Sequence, residues 1–290
     1  MKLQSLKLNA IITLLIASML FIACEEANSI DETTAAITED QTIALVESDD
    51  ISDEVDNIVD DFLSEEFAVA NKNETSKIEL NSTGGRPECV TKTIVLAGAS
   101  KTVTLDFGDG CTMPNEHILT GKIIMSFMFD KASKTTTITQ SFEGFTFNSI
   151  AVTGENTIVR TKENENGNPQ SVKTINVTLT WPDGETATKT GTKTREFIEG
   201  YDTKTWGDNV FLISGNWNCT FKNGTVFSSN ITTNLRREMA CRFLVSGTID
   251  IVKAKRVGTI DFGDGTCDNI ATFTDSEGNI KEITLKHRLK

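Results

Sequence analysis

The pattern of apolar and polar residues divides the chain into three regimes. Near the start, an apolar run covers Ile11–Ile22, interrupted only by Thr13 and Ser18. Further on, Ile51, Val55, Ile58, Val59, Phe62, Leu63 and Phe67 recur at helical spacing. That spacing predicts an amphipathic helix over residues 51–70 with one apolar stripe and an acidic opposite face. A lone helix of that length is marginal in water, so it is expected to dock on the rest of the chain or on a partner.

From about Cys89 onward the period changes to two. Val103, Leu105 and Phe107 alternate with Thr102, Thr104 and Asp106, and Ile175, Val177, Leu179 and Trp181 alternate with threonines and Asn176. Such alternation marks half-buried strands. Turn signals punctuate them: Asn166-Gly167-Asn168, Pro182-Asp183-Gly184, Asn223-Gly224 and Glu277-Gly278-Asn279. Short connections demand antiparallel pairing, because parallel strands need long crossovers. The expected fold is therefore all-β. It is an antiparallel meander forming either a two-sheet sandwich or a strongly curved open sheet, with one N-terminal helix. The organisation reads as a leader (1–23), an acidic tether (24–50), the helix (51–70), a linker (71–88) and the β domain (89–290).

The leader changes the picture of where the chain works. Lys2 and Lys7 precede the apolar run, and Ala23-Cys24 ends it. Charge, apolar core and small residue in that order make a secretion signal. Leu20-Phe21-Ile22-Ala23-Cys24 resembles the lipobox of bacterial lipoproteins, which implies acylation of Cys24 with palmitate-type chains. The expected location is the outer membrane, with the protein lipid-anchored on its periplasmic or cell-surface face. Cysteines there meet oxidising conditions.

Charge is unevenly placed. The net charge is −13, yet residues 25–71 hold sixteen acids and no Lys or Arg. Residues 72–290 carry 25 acids against 26 bases, so the β domain is nearly neutral. No basic surface for phosphates is implied, which argues against a nucleic-acid partner.

Two segments repeat a pattern. Cys89 leads to Asp106-Phe107-Gly108-Asp109-Gly110-Cys111, and Cys241 leads to Asp261-Phe262-Gly263-Asp264-Gly265-Thr266-Cys267. Each reads as a hairpin stapled by its own disulfide, Cys89–Cys111 and Cys241–Cys267. Cys219 has no counterpart in the repeat and is the expected free thiol, although the sequence alone leaves other pairings open. Asp106, Asp109, Asp261, Asp264 and Asp268 are hard oxygen ligands in principle, which makes calcium a weak candidate. Asp and Gly are equally what tight turns require, and no EF-hand spacing is present.

These paired segments, with Gly121-Lys122-Ile123-Ile124, Trp181-Pro182-Asp183-Gly184 and the run from Cys241 to Asp268-Asn269, resemble a flavobacterial-type family of Bacteroidetes lipoproteins. The resemblance covers most of residues 85–290. It implies an exported, membrane-anchored β protein and carries over neither an activity nor catalytic residues.

Candidate chemistry is sparse. His117 and His287 stand far apart, no zinc spacing occurs, and no Gly-x-Ser-x-Gly elbow is present. No motif calls for a cofactor. The expectation is a non-catalytic binding, adhesion or structural module at the cell envelope, whose glycan, lipid or protein ligand the sequence does not name. Trp181, Tyr201, Trp206, Trp217 and Phe221 could form a glycan platform. A carrier of lipid or another hydrophobic ligand is the alternative, and would line an apolar cavity with Phe142, Phe145 and Phe147. A glycan-active enzyme is less expected.

Overall fold

A computed structural model describes residues 37, 39–63, 77–80, 87–97, 100–114, 116–203 and 205–285. The leader, Cys24 and His287 lie outside them. Helix α1 spans Glu39–Leu63. The strands that follow are β1 (Lys77–Leu80), β2 (Thr91–Ala97), β3 (Ser100–Asp106), β4 (Cys111–Thr112), β5 (Ile118–Asp130), β6 (Thr135–Phe147) and β7 (Ile150–Thr161). The second half contributes β8 (Gln170–Thr180), β9 (Thr186–Glu199), β10 (Val210–Phe221), β11 (Val226–Glu238) and β12 (Leu244–Lys253). The series ends with β13 (Arg256–Asp264), β14 (Ile270–Thr274) and β15 (Ile280–Thr284).

Every strand pairs antiparallel with the next in sequence, except that β3 pairs with β5, past the short β4, which pairs with the start of β5. All fifteen belong to one sheet, and no second sheet is present among the described residues. The layer opposite is the helix, which takes the place a second sheet would have held.

Four of the connections have one design. In each, a glycine at φ 82–86° (Gly167, Gly184, Gly224, Gly278) follows a type I-like turn. Its N–H bonds back three residues, and the first residue's N–H bonds forward to the fifth, as in Gly184 N to Trp181 O (2.9 Å) and Trp181 N to Glu185 O (2.9 Å). Only glycine adopts that φ without cost, so the turns recognised in the sequence fix these hairpin registers.

The face away from the helix is a field of hydroxyls. Thr102, Ser126, Thr139, Thr157, Thr174 and Thr192 are successive direct partners across six strands. None of them is buried. Threonine suits a pleated surface with one side in water.

The face toward the helix holds two apolar clusters. One joins Ile51, Val55, Ile58, Val59 and Phe62 of α1 to Val103, Leu105, Ile123, Met125, Phe145 and their neighbours from the first half of the sheet. The other joins Leu45 and Val46 to Ile213, Trp217, Phe227, Val245, Ile260 and Phe273 from the second half. The helix therefore serves both cores.

Its bounds differ from the sequence expectation. It begins twelve residues earlier, inside the presumed tether, because Leu45 and Val46 extend the stripe by two turns. Strand β1 lies in the segment read as a linker. The acidic side is not a solvated face either: Ser52, Asp53, Glu54 and Asn57 are all buried. No described helix is long and apolar enough to cross a membrane.

Candidate functional site: the charged floor beneath the helix

Burying carboxylates requires partners, and strand β9 supplies them. In Thr188-Lys189-Thr190-Gly191-Thr192-Lys193 the threonines face water, while Lys189, Gly191 and Lys193 face the helix. Asp49, Asp53 and Asp56 sit at i, i+4 and i+7, hence on one side of α1. Lys189 pairs with Asp49. Lys193 reaches Asp53 (2.9 Å) and Asp49 (3.4 Å), and Lys173 on β8 reaches Asp56 (2.7 Å). Lys173 and Lys193 are direct cross-strand partners. Like charges placed so are unfavourable, and the separate helix carboxylate that each lysine meets offsets this.

Trp217 completes the floor. It lies directly across from Gly191, where a Cβ would come within 2.4 Å of the Trp217 Cα. The gap lets the indole lie between the two lysines, whose Nζ atoms stand 4.9 Å (Lys189) and 4.4 Å (Lys193) from a Trp217 ring centroid. Such cation–π contacts gain strength out of water. Farther along, the Arg195 guanidinium stacks 3.7 Å over Phe211 and donates to Asn57 Oδ1 (3.2 Å). Lys92 donates to the Phe62 carbonyl near the helix C-terminus, where a cation suits the dipole. Burial pushes the Lys189 ammonium below its ordinary value, and Asp49 opposes that shift.

Cys219 forms no disulfide and is buried beside this floor. Burial raises its thiol to about 11, with Lys189 acting the other way. The thiolate is the reactive form, so Cys219 should be inert in the native protein. Ellman's reagent at pH 8 is expected to find no accessible thiol until denaturant is added. Rapid labelling of the native protein at Cys219 would contradict this.

The disulfides join Cys89 to Cys111 and Cys241 to Cys267. Beside each, the repeated segment sends a phenylalanine inward: Phe107 into the first core and Phe262 into the second. The aspartates serve the turns. Asp106 accepts from Gly108 N, Asp261 from Gly263 N, Asp264 from Thr266 N and Asp268 from Ile270 N. Asp109 is exposed. No three His, Cys, Asp or Glu side chains converge as a metal site among the described residues.

Of the aromatic residues suggested as a platform, three are taken up by the cores, and the Trp206 side chain lies outside the described residues. Trp217 is in the core, while Trp181 and Phe221 pack against core clusters. Tyr201 is exposed, its ring against Phe197. Phe145 and Phe147 are buried in the first core and Phe142 packs on it. His117 stacks on Phe147 and its Nδ1 lies 2.8 Å from the Asn148 amide.

A separate polar knot joins β7–β8 to β9. The side-chain amides of Asn164, Asn166 and Asn168 all donate to Glu196 Oε1 at 2.9–3.0 Å, which lowers the carboxyl below its usual range. A depressed carboxylate contributes stability above its ordinary value, near 4.5, and loses it as pH falls through the lower folded value. Glu196→Gln, which cannot titrate, should show a smaller fall in melting temperature between pH 5 and pH 3 than the natural chain. Identical slopes would remove Glu196 from the account.

A cavity of about 40 Å³ lies at the charged floor among Asp53, Asp56, Lys173, Lys193, Arg195 and Arg237. That is room for a few waters. The chain matches no protein-family model, no curated protein and no solved structure.

Proposed function

We propose that this protein is an exported lipoprotein, held at the outer membrane through Cys24, whose β-sheet is a non-catalytic binding, adhesion or structural module of the cell envelope. One observation carries the reading: the inner face of the sheet is filled by the chain's own helix and by paired charges. What remains available is the outer hydroxyl face and the hairpin ends. Capture through an extended surface fits that distribution better than chemistry in a cleft.

The sheet is read as strongly curved. Fourteen strands along the main path, at about 4.8 Å each, would spread ~65 Å if flat. The 25-residue helix is only ~37 Å long, yet it serves both cores.

A carrier of lipid or another hydrophobic ligand is the second reading, favoured by a helix that is no part of the sheet and packs into two apolar clusters on its inner face. Native mass spectrometry of the full-length protein, gently extracted from its membrane, tests both. An acylated chain without cargo supports the surface module. Co-purified lipid in stoichiometric amount would favour the carrier and displace the first reading. A chain without acyl groups would refute the anchor.

A further inference from the structure

We propose that the tip of the β5–β6 hairpin is a membrane contact that seats on anionic phospholipid headgroups. The inference rests on the anchor reading above and adds a second point of attachment to it.

Met128 and Phe129 are 70 % and 55 % exposed. Consecutive strand residues point to opposite faces, so this tip bares large apolar side chains on both sides at once. A single exposed apolar residue is ordinary, whereas adjacent ones on a projecting tip mark an interaction surface. On β3, Ser100 pairs with Met128, so Phe129 and Asp130 reach past that strand's end.

Charge surrounds the apolar pair. Lys131 and Lys134 lie exposed in the turn itself. Lys162 is exposed and follows Thr161, which pairs with Thr135 at the base of the turn. Lys101 sits 5.2 Å over the Phe127 ring. The acid within the turn, Asp130, is engaged locally: its Oδ1 accepts from Ala132 N (2.9 Å) and its Oδ2 from Ser133 Oγ (2.7 Å). Glu163 follows Lys162, so basic character is strongest at the hairpin itself.

In a body that is otherwise nearly neutral, this set complements an anionic bilayer surface. Apolar side chains would enter the headgroup boundary while lysines meet the phosphates. A protein partner would need a shaped pocket for two side chains pointing apart. A fluid interface accepts both.

The test uses the full acylated chain in phosphatidylglycerol-containing vesicles, with a nitroxide placed through Phe129→Cys and, separately, through Thr232→Cys on the outer polar face. The expected result is that the label at 129 is shielded from aqueous nickel and open to dissolved oxygen several-fold more than the label at 232. Adding K131E and K134E should bring the label at 129 to the level of 232. Vesicle flotation is read on the same samples. Flotation with equal nickel access at both sites overturns the hairpin contact alone, and failure to float overturns the contact and the anchor together.

Discussion

Asp49→Ala should cost the protein about 3–5 kcal/mol, the effect expected when one member of a buried ion pair is removed. Lys189 has essentially no exposure, and Asp49 is its ion-pair partner. Without Asp49, Lys193 keeps Asp53, while Lys189 keeps the face of Trp217 and the charge of Asp53, with which it forms no described ion pair. For a domain of this size, roughly 2–4 °C per kcal/mol places the fall in melting temperature at about 6–20 °C. Adding Lys189→Met to Asp49→Ala should recover most of the loss, because two apolar side chains replace a broken pair. Thermal unfolding followed by near-ultraviolet circular dichroism reads both variants, and Trp217 reports directly because it lies between the lysines. A loss under about 1 kcal/mol for Asp49→Ala would mean that the lysine finds another partner or deprotonates at little cost.

The second large effect concerns the staples. Replacing Cys241 and Cys267 by serine should cost about 3.5 kcal/mol from the 26-residue separation, on the chain-entropy account. The first staple, with a separation of 22 residues, gives nearly the same figure. They should nevertheless differ. Arg237, 1 % exposed, donates to the carbonyls of Glu238 and Cys241, so freeing Cys241 also loosens the acceptors of a buried guanidinium. The C241S/C267S variant is therefore expected to be the less stable of the two. Hydrogen exchange should locate its extra opening at β12–β14. Equal losses for both staples, with no local opening, would remove Arg237 from the argument.

The sequence made the meander legible because local rules set it: the period of two, the Gly-bearing turns and the paired cysteines all act over short range. The charged floor was not legible. In Thr188-Lys189-Thr190-Gly191-Thr192-Lys193 both alternating sets are polar, so the pattern does not say which side is buried. The register against β8 decides it, since Val177 lies opposite Lys189 and Ile175 opposite Gly191. On the helix the apolar stripe was visible, and the depth to which Asp49, Asp53 and Asp56 are buried was not. That depth depends on lysines more than a hundred residues away. A lone glycine between two lysines on a strand, with a tryptophan to come, was the one available signal.

The meander has a consequence for how such a chain can change. A strand bonded only to its neighbours in sequence makes the sheet extensible: deleting or duplicating one hairpin alters its breadth by two strands, ~10 Å, and leaves every other register intact. The strand count is thus not fixed by closure, as it would be in a barrel. It is fixed by the ruler lying across the sheet. Helix α1 offers apolar side chains from Leu45 to Phe62, and a broader sheet would carry inner faces that it could not cover. Growth of the sheet and growth of the helix would have to go together, and relatives of different breadth should differ in helix length in the same sense.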